Sequence, residues 1–182
     1  MKIFLRAFEP DDLKLINEWH NDEDINSQTG GVKYFVSSFY DKKWLEDKML
    51  NNRDNVYCAI CEHESAKMVG YISLNNIDYR NRKADWGGIV LGDKTKRSKG
   101  YASEASFQIL KYGFEELGLN KVTGYWLESN TASIIIGKLF GFRKEGTLRQ
   151  DVFKNGEFRD VTVMSIIKEE YQVLKENFGN KA

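Results

Sequence analysis

At 182 residues the chain is long enough to bury a full hydrophobic core, and a single domain over residues 1–182 is expected. Its 27 Lys and Arg are balanced by 27 Asp and Glu, which excludes a global basic footprint for nucleic acid and confines any anion site to a local patch. No apolar run is long enough to span a bilayer and no charged-then-apolar leader heads the chain, so a cytoplasmic location without membrane contact is expected.

Residues 3–8 alternate as a strand does. Pro10-Asp11-Asp12 then opens a helix with Leu13, Ile16 and Trp19 on one face. Residues 21–33 are polar, contain Gly30-Gly31 and read as a loop. Ser38-x-x-Asp41 has the form of a capping box ahead of a second helix that carries Trp44, Leu45 and Met49. Three strands follow at 56–62, 68–77 and 83–91, and their short turns predict an antiparallel meander. Cys58 and Cys61 lie in the first of these. A spacing of three puts them on opposite faces of a strand, whereas a redox C-x-x-C begins a helix, so both are read as packing residues. With only His20 and His63, and no clustered ligands, no metal site is expected.

The centre of the chain is the stretch 87–105. Ile89, Val90 and Leu91 end a strand, a polar basic loop follows, and the chain turns at Gly100 into an amphipathic helix. Helix starts leave amides without partners and carry partial positive charge, so strand, basic loop and helix together predict a phosphate or pyrophosphate site around Arg97-x-x-Gly100-x-Ala102. Neither a Walker loop nor the G-x-G-x-x-G fingerprint can be read there. On the helix, Ala102, Ala105, Ile109 and Tyr112 share one face, broadened by Phe107, Leu110, Phe114 and Leu117, and Gly118 is the expected stop.

A strand is predicted at 121–127, then a short helix from Ser129-Asn130-Thr131 that ends before Gly141. Strand, helix and strand in sequence make Ile89 to Leu91 and Val122 to Leu127 parallel neighbours. Strands are expected from Phe142 onward, at 148–153 and at 158–167, and Lys154-Asn155-Gly156-Glu157 signals a type I′ hairpin. The charged tail 168–180 reads as a short helix or a frayed end.

With Arg97-x-x-Gly100-x-Ala102, then Asn130-x-x-Ser133, Lys138-Leu139-Phe140-Gly141-Phe142 and Glu145-Gly146 in that order, the chain resembles a GNAT-superfamily N-acetyltransferase. Thr147-Leu148-Arg149 and 155–160 are similar to the ribosomal-protein N-terminal acetyltransferase branch, a tail shared with spermidine acetyltransferases. Trp19-x-Asn21-Asp22-x-Asp24-Ile25-Asn26 is similar to nucleotide-amino-sugar acetyltransferases. The resemblance implies an α/β (α+β) fold. Its mixed, twisted, seven-stranded sheet would be flanked by about four helices, with strands four and five parallel and splayed. It implies acetyl-CoA as cosubstrate and transfer to a primary amine, either a protein N-terminus or a small molecule, by direct attack in a ternary complex. The chain would act as a monomer or as a homodimer through the late strands. The rival reading is a non-catalytic acyl-CoA-binding module.

By the same resemblance, the pantetheine arm lies along Ile89, Val90 and Leu91 as an added strand would, and the pyrophosphate sits on the amides of Arg97, Ser98, Lys99, Gly100, Tyr101 and Ala102. The family often has glycine where this chain has Ser98, which matters if that position needs a positive φ. Asn130 would cap its helix and contact the pantetheine amides, and Lys138 would add a nearby cation. Ser133 would donate to the leaving thiolate, whose pKa of about 8.5 asks for modest help. Many relatives use a tyrosine at the position of Gly137. An alkylamine has a pKa of about 10.4, so a proton must leave it. Asp85 is the first candidate base. Glu128 is another, and Asp151 is a third if a bulge brings it onto the right face.

Overall fold

The structure is a computed structural model and describes residues 1–28, 35–51 and 53–179. Seven strands form one sheet: β1 (Ile3–Arg6), β2 (Val56–Glu62), β3 (Met68–Asp78), β4 (Lys83–Leu91), β5 (Lys121–Leu127), β6 (Arg143–Lys154) and β7 (Glu157–Ile167), in the spatial order β1-β2-β3-β4-β5-β7-β6. Six α-helices are found among the described residues, two more than expected: α1 (Leu13–His20), α2 (Glu23–Gln28), α3 (Ser38–Leu50), α4 (Tyr101–Lys111), α5 (Thr131–Leu139) and α6 (Lys168–Gly179).

Every strand pair is antiparallel except β4 with β5, which pair in parallel from Lys83↔Lys121 to Asp85↔Thr123 and then separate. The expected parallel neighbours are therefore joined only at their root, and Ile89, Val90 and Leu91 lie beyond it, paired with β3 alone. The separation starts at a bulge. Between Leu74↔Trp86 and Ile72↔Ile89, β4 takes three steps against two on β3. Gly88 holds φ +91°, and a Cβ on Gly87 would stand 2.0 Å from Ser73 Oγ. Only glycine fits both demands.

Two apolar layers cover the sheet. On one face α4, α5 and α6 bury a core that includes Ile72, Ile109, Met164 and Tyr171; on the other, α1 and α3 bury Ile16, Trp19, Leu45 and Ala59. Cys58 belongs to the first core and Cys61 to the second, as a spacing of three on a strand requires. Burial pushes the Cys58 thiol up to about 11. The tail is docked rather than frayed: Tyr171 is fully buried, and Phe178 stacks on Phe107 with ring centroids 4.5 Å apart.

Several boundaries differ from expectation for local reasons. β1 stops at Arg6, whose guanidinium turns aside to grip both oxygens of Asp12 at 2.7 and 2.8 Å. The expected polar loop after α1 contains α2, started by Asp22, whose carboxylate accepts from the Ile25 amide at 3.1 Å. Gly30-Gly31 lies outside the described residues. The cap of α3 is Ser37, whose hydroxyl accepts from the Tyr40 amide at 3.1 Å. Asp41 does not close a box. It is fully buried and meets His20 Nδ1 at 2.8 Å and Asn17 Nδ2 at 2.7 Å. Tyr112 begins a π-helical turn (Tyr112–Glu116) and is exposed instead of sharing the buried face.

Candidate active site

Where β4 and β5 part, a cavity of about 300 Å³ opens between them. Its β4 side is Trp86, the glycine bulge and Ile89, with Ser106 from α4 behind. Its β5 side is Tyr125, Trp126 and Leu127, and α5 contributes Asn130, Ser133, Ile136 and Gly137. Asp151 and Val152 of β6 complete the far rim.

The turn that leads into α4 adds no residue to this lining; its Lys99 and Tyr101 line a second cavity with Lys2, Glu62 and His63. Asp93 caps a short 3₁₀ turn by accepting from the Thr95 amide at 2.9 Å. Ser98 holds φ 60° and Gly100 holds φ +87°. Position 98 therefore does require the left-handed region where relatives carry glycine, at a cost on the order of 1 kcal/mol for serine. The Arg97 amide donates to the Lys94 carbonyl at 3.3 Å and is spoken for, so the run of free donors is one residue shorter than expected. Among the hydrogen bonds of the described residues, the amides of 98–102 have no acceptor. Free amides at a helix start carry partial positive charge, the property that suits such a place to an anion.

Side chains around the turn are engaged with the chain's own carboxylates. Arg97 Nη1 meets Asp24 Oδ2 at 2.5 Å, and Lys94 Nζ meets Asp22 Oδ2 at 2.9 Å. These cations hold the carboxyls of Asp22 and Asp24 below the usual range. Lys96 pairs with Glu62, which also accepts from the Tyr101 hydroxyl at 2.5 Å and the Ser65 hydroxyl at 2.9 Å, and these three donors, Lys96 first, pull its carboxyl down to about 2. Lys2, not expected here, reaches the turn from the first strand: its Nζ donates to the Lys99 carbonyl at 2.7 Å.

Asn130 caps α5, its Oδ1 accepting from the Ser133 amide at 3.1 Å, while both residues line the cleft. Capping and facing the cleft thus coexist. Gly137 is buried, and a Cβ there would meet the Trp126 indole at 3.4 Å, so tryptophan stands against the place that a tyrosine has in many relatives. Of the three strand residues expected along the pantetheine, Ile89 lines the cavity, Leu91 packs on the α4 core and Val90 on the opposite one. Lys138 is exposed on the last turn of α5 and does not line the cavity.

The three candidate bases are separated. Asp85 accepts from Asn76 Nδ2 at 2.9 Å and lies outside the cavity lining. It stands close enough to Tyr125 that its charge adds to burial in raising the Tyr125 hydroxyl. Glu128 is exposed beyond the end of β5. Asp151 lines the cleft beside Val152, at the end of an irregular stretch of β6. Between Leu148↔Val161 and Val152↔Arg159, β6 takes four steps against two on β7. Gln150 sits there at φ 52°, and its amide donates to Asp160 Oδ1 at 2.8 Å.

Sequence reasoning missed Ser106. A helical wheel would have found it, because Ser106 follows Ala105 and precedes Ile109 by three on the buried stripe. Among the described residues no group of three or more His, Cys, Asp or Glu could hold a metal ion, and no helix is long and apolar enough to cross a membrane.

Residues 2–143 match the family model for the acetyltransferase (GNAT) domain. The spermidine N(1)-acetyltransferase of Vibrio cholerae is 28% identical over 171 residues, 93% of this chain and 95% of that one. The putative ribosomal N-acetyltransferase YdaF of Bacillus subtilis is 34% identical, but over 58% of this chain and 56% of its own length. A crystal structure of spermidine N-acetyltransferase from Vibrio cholerae in complex with CoA and spermine superposes with a TM-score of 0.86 at 25% identity, covering 94% of this chain and 98% of that one.

Proposed function

This chain belongs to the GNAT acetyltransferase family, and from that premise we propose that it acetylates a primary amine of a small polycation, of the polyamine class, with acetyl-CoA as donor. The observation that carries the choice of acceptor is Asp151, a carboxylate that lines the same cleft as Ser133. A carboxylate on the cleft rim suits a positively charged substrate. Likeness to a spermidine acetyltransferase along nearly the whole chain supports the same acceptor, while likeness to the ribosomal enzyme covers little more than half.

The thioester of acetyl-CoA supplies the acetyl group. The amides of 98–102 hold its diphosphate, and the open edge of Ile89 offers main-chain hydrogen bonds to the arm. Ser133, at the start of α5, donates a hydrogen bond to the departing sulfur from a helix end whose dipole favours developing negative charge; the second proton, shed by the acylated nitrogen, passes to the thiolate, and the hydroxyl keeps its own. Asp151 attracts the ammonium group and takes up its proton, directly or through water, so that the neutral amine attacks. The apolar floor of Ile89, Ile136 and Phe140 excludes bulk water, and positioning supplies most of the rate gain.

Thiol release from acetyl-CoA, measured with spermidine, an amino sugar and a peptide with a free N-terminus, tests this. Spermidine is expected to have the highest kcat/KM. Preference for the peptide would overturn the acceptor class, and cofactor binding with no turnover on any of them would favour the non-catalytic module.

A further inference from the structure

Ser106 is 1% exposed, lines the cavity, and its Oγ has no hydrogen-bond partner among the described residues. A buried hydroxyl without a partner costs about 1–3 kcal/mol. A serine inside a helix ordinarily escapes that cost by bonding back to the carbonyl one turn earlier. Ser106 does not. Its neighbours on α4, Ala105 and Ile109, are 0% and 1% exposed and apolar. Much of the cavity lining is apolar too, including Ile89 from β4, Ile136 from α5 and Phe140 just after it. The other polar groups of the cavity sit elsewhere. Asn130 and Ser133 are at the start of α5, Tyr125 is on β5 and Asp151 is on the far rim, and none of them bonds the Ser106 hydroxyl. Ser106 is therefore an isolated polar group in a greasy wall, the arrangement that orients a ligand rather than one that stabilises a fold.

Its position along the helix suggests what it meets. Gly100 precedes α4 and belongs to the phosphate turn; six residues at 1.5 Å each put Ser106 about 9 Å further along the axis. A carrier held by its diphosphate at 98–102, with its thioester at Ser133, must lead its arm past the face between. That arm contains two secondary amides, each with one donor and one acceptor, and Ile89 at the edge of β4 does not satisfy every one of them. A hydroxyl both donates and accepts.

We infer that Ser106 is a specificity contact for the donor, its hydroxyl hydrogen-bonding an amide of the pantetheine arm. This rests on the proposed use of acetyl-CoA and adds a residue that the family motif does not contain. The adenosine and phosphate part of the carrier, lying at the turn, is out of its reach.

Calorimetric titration of the full chain and of Ser106→Ala, each with CoA and with adenosine 3′,5′-bisphosphate, tests it. The variant is expected to bind CoA roughly three- to tenfold more weakly, as loss of one hydrogen bond requires, and the nucleotide equally well. Its melting temperature is expected to hold or rise, because an unpaired buried hydroxyl has been removed. Equal affinity of both proteins for CoA, or an equal loss for CoA and nucleotide, would overturn the contact. Failure of the wild-type chain to bind CoA would instead remove the donor assignment, and this contact with it.

Discussion

In the proposed site the groups assigned to the donor, from β4 and the start of α4, are main chain: the amides of 98–102 and the edge of Ile89 that β5 leaves unpaired. Those assigned to the acceptor are side chains, Asp151 above all, at the end of an irregular stretch of β6. The first kind depends on backbone conformation at a few positions, Gly88, Ser98 and Gly100, and is indifferent to most neighbouring residues. The second kind depends on strand register, where a slip of one residue turns a side chain to the opposite face. The comparison suggests that a donor common to a family is met by backbone, and an acceptor peculiar to one member by side chains.

The sharpest test of that division is at α5, where both kinds meet in one residue. The Ser133 amide is bonded to the Asn130 cap and its hydroxyl is not needed for it. Ser133→Ala therefore leaves the helix start intact and removes the hydrogen-bond donor alone. Turnover is expected to fall ten- to a hundredfold, with acetyl-CoA affinity changed by less than about threefold. Unchanged turnover under saturating substrates would take the hydroxyl out of the chemistry.

The next effect in size belongs to the acceptor rim. Asp151→Asn keeps the size and the bulge and removes the charge. A loss of roughly tenfold in kcat/KM for a polyamine, with acetyl-CoA affinity unmoved, is expected from one charge-assisted contact. A uniform loss for cationic and neutral amines would show that the charge of Asp151 does not select the acceptor.

The same division explains what could be read from the chain. The meander of β2, β3 and β4, the turn at Gly100, the cap at Asn130 and the hairpin at 155–156 were legible because each rests on local chemistry: alternation, positive φ, a helix start. The irregular stretch of β6 was not legible. It is marked in sequence by nothing stronger than Gln150 and Asp151, and neither residue requires it. α2 was hidden for another reason. Six residues with one buried apolar side chain, Ile25, give no period to detect, and the helix exists through its ties to distant segments. Arg97 was expected to face phosphate, but no pattern could announce that a carboxylate 73 positions earlier would hold it.

That carboxylate lies on a helix with ties to two segments. Asp22 and Asp24 tie α2 to the loop after β4, while Lys154, at the end of β6, donates to the Asn26 carbonyl at 2.5 Å. α2 is thus tied both to the turn before α4 and to the end of β6. Arg97 cannot serve Asp24 and a phosphate at full strength together, so the carboxylate competes with the donor. Asp24→Asn should free the guanidinium and tighten CoA, by no more than about fivefold because the pair is exposed. The gain should shrink as salt rises toward physiological strength, since screening weakens the newly available charge. If the donor were met by backbone alone, Arg97 would be irrelevant and affinity would not move. If Asp24 instead braced the turn in its left-handed form, CoA binding would weaken, and it would weaken at every salt concentration. The sign of one small change, with its salt dependence, therefore distinguishes a turn that holds its own shape from one that needs α2 to hold it.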